Sequence, residues 1–253
     1  MARAAVLGRL TPTTAWQVAE VLDARAETPS VRTLVLAPSA WTGHRAGQHL
    51  DVRLTADDGY QAQRSYSIAS PPGAPLAITV ERLEDGEVSP YLVDELRTGD
   101  RIEIRGPIGG YFVWEPALGG PLFLAAGGSG VVPLMAMVRH RAAEESDVPT
   151  RLLLSSRSWE DVIYRDELEA LTACGDGLDV VHTLTRSRPP GWTGYARRVD
   201  REMLGELAWP ADPGALAFVC GPTRFVEGVA AGLVALGYPP ERIKTERFGP
   251  TGG

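Results

Sequence analysis

The chain has 253 residues, enough for one large domain or two ordinary ones, and 44% are hydrophobic, the share of a globular protein with a proper core. Lysine plus arginine is 25 against 32 for aspartate plus glutamate, and the formal charge of −7 counts against nucleic-acid or anionic-membrane binding. No apolar run approaches the ~20 residues needed to span a bilayer, and the two cysteines, Cys174 and Cys220, are too few for an iron–sulfur cluster or a cysteine-rich zinc site.

The first nine residues carry arginines but too short an apolar core for a secretory signal, so a reducing, cytoplasmic setting is expected. From about residue 16 to 114 the chain reads as short strands. Alternation is clear at 31–36, 50–54 and 102–104. Turn signals separate these runs at Asp58-Gly59, Pro71-Pro72-Gly73, Asp85-Gly86 and Gly99-Asp100. The pattern predicts an antiparallel barrel or sandwich. One short helix is expected over 89–96, with Ser89 as its N-cap and Pro90 in its first turn.

The texture changes after Pro116 and Gly119-Gly120. Apolar strands at 122–126, 151–155, 178–184 and 215–220 alternate with helices at 133–144, 165–171, 201–207 and 225–236. That rhythm predicts a doubly wound parallel sheet. The division is therefore a β-barrel domain over 1–116 and an α/β domain over 117–253. The first α/β strand runs into Gly127-Gly128-Ser129-Gly130 and a helix opening with Pro133, whose exposed amides and positive dipole end suit a pyrophosphate. Leu134, Met137 and Val138 mark the apolar face of that helix, and His140 is expected at the surface. The four histidines, His44, His49, His140 and His182, show no metal-ligand spacing, and no metal is expected.

Within the barrel half, Gln63-Arg64-Ser65-Tyr66-Ser67 stands out. Strand alternation sends Arg64 and Tyr66 to one face, where a guanidinium can clamp a phosphate and a phenol ring can cover a flat heteroaromatic. Gly86-Glu87-Val88-Ser89 then leads into the short helix and offers a second amide-rich helix start. Together with Gly127 to Pro133 and Cys220-Gly221-Pro222, these motifs resemble, in order and spacing, the ferredoxin–NADP reductase superfamily, over about residues 16–248.

The resemblance implies FAD on the barrel, with Arg64, Ser65, Tyr66 and Ser67 holding the flavin, Tyr66 stacked on its ring and Ser67 near its reactive N5. It implies Val80, Glu81 and Arg82 beside the ribose and phosphates, and Glu87, Val88 and Ser89 around the pyrophosphate, which favours FAD over FMN. His49 falls near the flavin edge or in packing. On the second domain, Gly127, Gly128, Ser129, Gly130 and Pro133 would take the pyridine-nucleotide pyrophosphate, and Cys220, Gly221 and Pro222 the nicotinamide end. The Thr245-Glu246-Arg247-Phe248 ending is similar to the family's Glu-x-aromatic tail, in which the ring of Phe248 would cover the flavin, although five residues follow it here.

Ser67, Cys220 and Glu246 are the catalytic candidates. Arg157, Thr185 and Arg186, at two neighbouring strand ends without a nearer carboxylate than Glu160-Asp161, suit the 2′-phosphate of NADPH, with NADH as the alternative. The expected activity is transfer of electrons from NADPH through FAD to an external acceptor: a ferredoxin, flavodoxin or oxygenase component. A free-flavin or ferric reductase and a non-catalytic nucleotide-binding module stand as alternatives. Arg97, Arg101 and Arg105 are candidates for a basic docking rim, and a monomer is expected.

Overall fold

The computed structural model describes residues 15–211 and 214–249; the N-terminal stretch and the tail at 250–253 lie outside the described residues. The first domain is a six-stranded antiparallel sheet of β1 (Gln17–Thr28), β2 (Val31–Pro38), β3 (His49–Thr55), β4 (Gln61–Ser67), β5 (Leu76–Glu81) and β6 (Arg101–Ile108), in the order β4-β3-β6-β1-β2-β5. A single bridge between Ile68 and Ile78 brings the end of β4 to β5 and curls the sheet into a barrel. Alternating residues of each strand, such as Leu34, Leu36, Leu50, Val52, Ile78 and Val80, fill its interior. Leu92 and Leu96 join that interior from the short helix, which is π-helical over Tyr91–Glu95. Ser89 does not cap this helix: its hydroxyl accepts the Leu83 amide at 3.1 Å, holding the preceding turn instead.

The second domain is a five-stranded sheet of β7 (Leu122–Gly127), β8 (Thr150–Ser156), β9 (Leu178–Leu184), β10 (Leu216–Pro222) and β11 (Ile243–Phe248), in the order β11-β10-β7-β8-β9. All its pairings are parallel. Helices α1 (Val131–Ala143) and α2 (Arg165–Ala173) pack on one face, and α3 (Arg201–Leu207) and α4 (Thr223–Ala235) on the other. No described helix is long and apolar enough to cross a membrane.

One core crosses the seam between the domains. Ala46, Ala69, Ala77, Phe112 and Trp114 of the barrel side pack with α1 and the inner sheet face. Every residue of α1 from Val131 to Val138 is buried, because the sheet covers one side of the helix and the barrel covers the other. A helix read as one-faced is therefore buried all round. For the same reason His140 is half-buried rather than at the surface, its ring edge-on to Trp114 at 6.3 Å. Phe112 meets Phe218 of β10 edge-on at 5.2 Å across the same seam.

Candidate functional site

The sheet order reverses between β7 and β10, the place where open α/β sheets bind ligands beyond their strand ends. Both expected nucleotide motifs end there. Gly128 to Gly130 form a 3₁₀ turn after β7 that runs into α1 two residues before Pro133. Gly130 is required by close approach, since a Cβ on it would stand 2.2 Å from the Cys220 carbonyl oxygen. Any larger residue would push the two strand ends apart and close the space above them. Pro133 lies buried in α1 and meets that space only through the helix start.

A cleft of about 280 Å³ opens at this point between the domains, lined by His49, Ser65 and Ser67 from the barrel and by Ser129, Cys220, Glu246, Arg247 and Phe248 from the α/β side. His49 faces Ser67 across the β3–β4 ladder. Cys220 and Glu246 face each other across β10 and β11, with Phe248 beside Pro222 at the strand end. Burial is the main cause of the shifts here. It pushes the Glu246 carboxyl from 4.5 up to about 7. It also raises the Cys220 thiol well above its ordinary value, with the Glu246 charge adding to the effect, and lowers His49. The cleft thus holds a protonatable carboxyl near neutrality, a neutral thiol and a neutral imidazole. Phe248 is 37% exposed at its rim.

A second open region adjoins it on the barrel. Beyond the Ile68–Ile78 bridge β4 and β5 part, so Arg64 and Tyr66 stand at an open edge although they sit opposite the core residues Val52 and Leu50. Arg64 is exposed, and its guanidinium is 3.4 Å from Glu87, which also accepts the Tyr60 hydroxyl at 2.7 Å. Tyr66 is half-buried against the barrel core, and its hydroxyl is held protonated by that burial. A cationic side chain, an aromatic face and the loop before the short helix therefore meet along one open edge, the donor set a flavin dinucleotide needs.

Several expected residues stand elsewhere. The Val80 side chain is fully buried in the barrel core, which leaves only its backbone to meet a ligand. Arg82 is paired with Asp94 at 2.7 Å. Glu81 lines a smaller pocket at the domain seam with Gly128, Ser129, Arg157 and Asp161. The Ser65 hydroxyl is spent on Asp51 at 2.6 Å, which Arg105 also grips at 2.6 Å. Burial alone would raise Asp51, but these two partners outweigh it and hold the carboxyl below its usual range. Arg105 is thereby withdrawn from the expected basic rim. Arg157 and Arg186 lie side by side, the Arg186 amide donating to the Arg157 carbonyl at 2.9 Å, and among the described residues neither guanidinium has an ion-pair partner. Thr185 donates its hydroxyl to the Ser156 carbonyl at 3.1 Å. Sequence reasoning missed Arg247 as a lining residue, whereas Asp161, weighed there as a carboxylate that could fold back on the ribose and favour NADH, does line the smaller pocket beside Arg157. Arg247 is an exposed charge without a local pattern, placed by the β10 and β11 ends, which meet only in the folded sheet.

Residues 20–113 match the oxidoreductase FAD-binding domain family and residues 124–231 the oxidoreductase NAD-binding domain family. The glycine betaine monooxygenase reductase subunit of Pseudomonas aeruginosa is 34% identical over 82% of this chain, which spans 57% of that relative's length. Ferredoxin--NADP reductase B of Sorangium cellulosum is 36% identical over 80% of this chain and 84% of the relative. Among solved structures, the FAD/NAD-binding domain of nitric oxide dioxygenase from Vibrio cholerae superposes with a TM-score of 0.83 at 25% identity, covering 92% of this chain and 99% of that one. With both nucleotide domains matched in order on this two-domain fold, the chain belongs to the ferredoxin–NADP reductase family of FAD- and NAD-binding oxidoreductases.

Proposed function

We propose that the protein takes a hydride from NADPH and passes the electrons, through bound FAD, to an external one-electron acceptor: a ferredoxin, a flavodoxin or an oxygenase component. The observation that carries this reading is the cleft at the sheet's reversal point, where Ser67 of the barrel faces Ser129, Cys220 and Glu246 of the α/β domain. FAD supplies the conversion of a two-electron hydride into single electrons. The chain's own residues bind, orient and exclude water. Arg64, now beside Glu87, would hold a flavin phosphate, Tyr66 would present its ring, and the amides around Glu87, Val88 and Ser89 would complete the pyrophosphate cradle. The loop Gly127–Gly130 would hold the nucleotide pyrophosphate, Cys220, Gly221 and Pro222 would flank the nicotinamide, and Phe248, at the same strand ends, would shield the flavin from water. Glu246, near neutrality, is the group that can hold or yield a proton beside the thiol.

Arg157 and Arg186, joined through their backbones and each without an ion pair among the described residues, support NADPH over NADH, since two forks suit a dianionic 2′-phosphate. Oxygenase and ferredoxin partners are supported by the names of the relatives from Pseudomonas and Sorangium, a monooxygenase reductase subunit and a ferredoxin–NADP reductase. Both cysteines are free thiols, in keeping with a cytoplasmic protein, and we take it to act as a monomer. The test is direct. Purified protein should carry about one FAD per chain and oxidise NADPH with ferricyanide and with a ferredoxin. A colourless protein that reduces only added free flavin would overturn the reading.

A further inference from the structure

A polar network crosses the domain seam apart from the residues assigned above to either nucleotide. Arg139, on α1, donates to the Ala69 carbonyl at 2.6 Å, two residues past Ser67. The same guanidinium grips both oxygens of Glu167 on α2, at 2.8 and 2.7 Å, and stands 4.6 Å from the centre of the Tyr164 ring. Tyr164, 2% exposed, donates its hydroxyl to Thr79 of β5. Thr79 lies 2.7 Å from the Thr33 hydroxyl of β2, and Thr33 donates to Glu27 of β1 at 2.6 Å. Each hydroxyl therefore hands its proton onward toward a carboxylate, and the buried chain is fully satisfied, the condition under which such networks rigidify a structure.

The backbone is strained to make it. Tyr164 has φ 60° and ψ 26°, the left-handed region, which is unfavourable for a non-glycine residue. It holds that conformation at the start of α2, where it sets the ring between Arg139 and Thr79. Strain that persists in a buried position marks a requirement of the surrounding structure. What the network holds is specific: the end of β4, which carries Ser67, against α1, which the turn carrying Ser129 leads into. Both residues line the same cleft.

We propose that Arg139 and Tyr164 are positioning residues for hydride transfer, fixing the gap in which nicotinamide and flavin meet. This deepens the function proposed above and rests on it. Transfer requires reacting atoms within ~3–3.5 Å, and an error of about 1 Å can cost about 100-fold in rate, so a rigid seam acts on the chemical step more than on nucleotide affinity.

The experiment compares FAD-loaded wild type with Tyr164→Phe, which keeps the ring and removes the hydroxyl, and Arg139→Lys, which keeps the charge and removes the fork. Four quantities are read: the flavin reduction rate at saturating NADPH, the apparent Kd for NADPH, the long-wavelength charge-transfer absorbance of reduced flavin with NADP⁺, and Tm. The expected result is a fall of about tenfold or more in the limiting rate and a weakened charge-transfer band, with NADPH affinity and FAD content near wild type. If Arg139→Lys fails to fold, Thr79→Val takes its place beside Tyr164→Phe. Wild-type rates and charge-transfer bands in the variants, with or without a lower Tm, would reduce the network to a structural clip and overturn this inference alone. A wild type that binds no FAD or is not reduced by NADPH would overturn the proposed function, and this inference with it.

Discussion

Glu246 offers a test that needs neither nucleotide nor partner. It stands half-buried on β11 opposite Cys220, and burial raises its carboxyl from 4.5 to about 7. A folded-state value above the unfolded one means that folding favours the protonated form. The contribution is fully present below pH 4.5 and is lost as pH rises through about 7. The full displacement corresponds to about 3 kcal/mol, reduced to about 2–3 kcal/mol for a side chain that keeps some solvent contact. Glu246→Gln keeps the shape and cannot ionise. The apoprotein variant should match the wild type near pH 5 and exceed it near pH 8, by an amount worth roughly 4–12 °C in Tm for a chain of this size. Thermal unfolding of both proteins from pH 5 to 8 measures the difference. Parallel Tm curves over that range would show that burial does not raise the Glu246 carboxyl.

Arg64→Ala should weaken FAD binding by about 10- to 100-fold through loss of a charge-assisted phosphate contact, whereas Glu87→Gln, which frees Arg64 of its present partner, should tighten it; titration of apoprotein with FAD measures both. Ser67→Ala and Cys220→Ala should each slow flavin reduction by NADPH in stopped flow while leaving the visible flavin spectrum in place, and unchanged rates in both would assign the two side chains to packing. The double variant Arg157→Ala/Arg186→Ala should lose most of its kcat/KM for NADPH and little of that for NADH, and a wild type that favours NADH would refute the 2′-phosphate assignment.

Much of this architecture is legible in the sequence because its causes are local. Alternation at 31–36 and 50–54 marks strands with one face toward a core, and the apolar run at 122–126 marks a strand covered on both faces. The four-residue turn Gly127–Gly130 announces a close approach by composition alone, and the structure supplies the object approached, the Cys220 carbonyl. Other features exist only because distant segments meet. β11 has a single core residue, Ile243, and no alternation to reveal it; it is a strand because β10 offers it an unpaired edge, and that pairing is what sets Glu246 against Cys220. Ser65 and Arg105 read as ligand and docking residues until β3 brings Asp51 between them. Val80 sits one residue from Glu81, yet the barrel takes one side chain inward and leaves the other at the seam, a division set by the pleat and by which face the α/β domain covers. Above all, the contact of Arg139 with Ala69 and of Tyr164 with Thr79 joins residues 70 and 85 positions apart. No pattern along the chain encodes that relation, because it arises only when one domain is laid against the other.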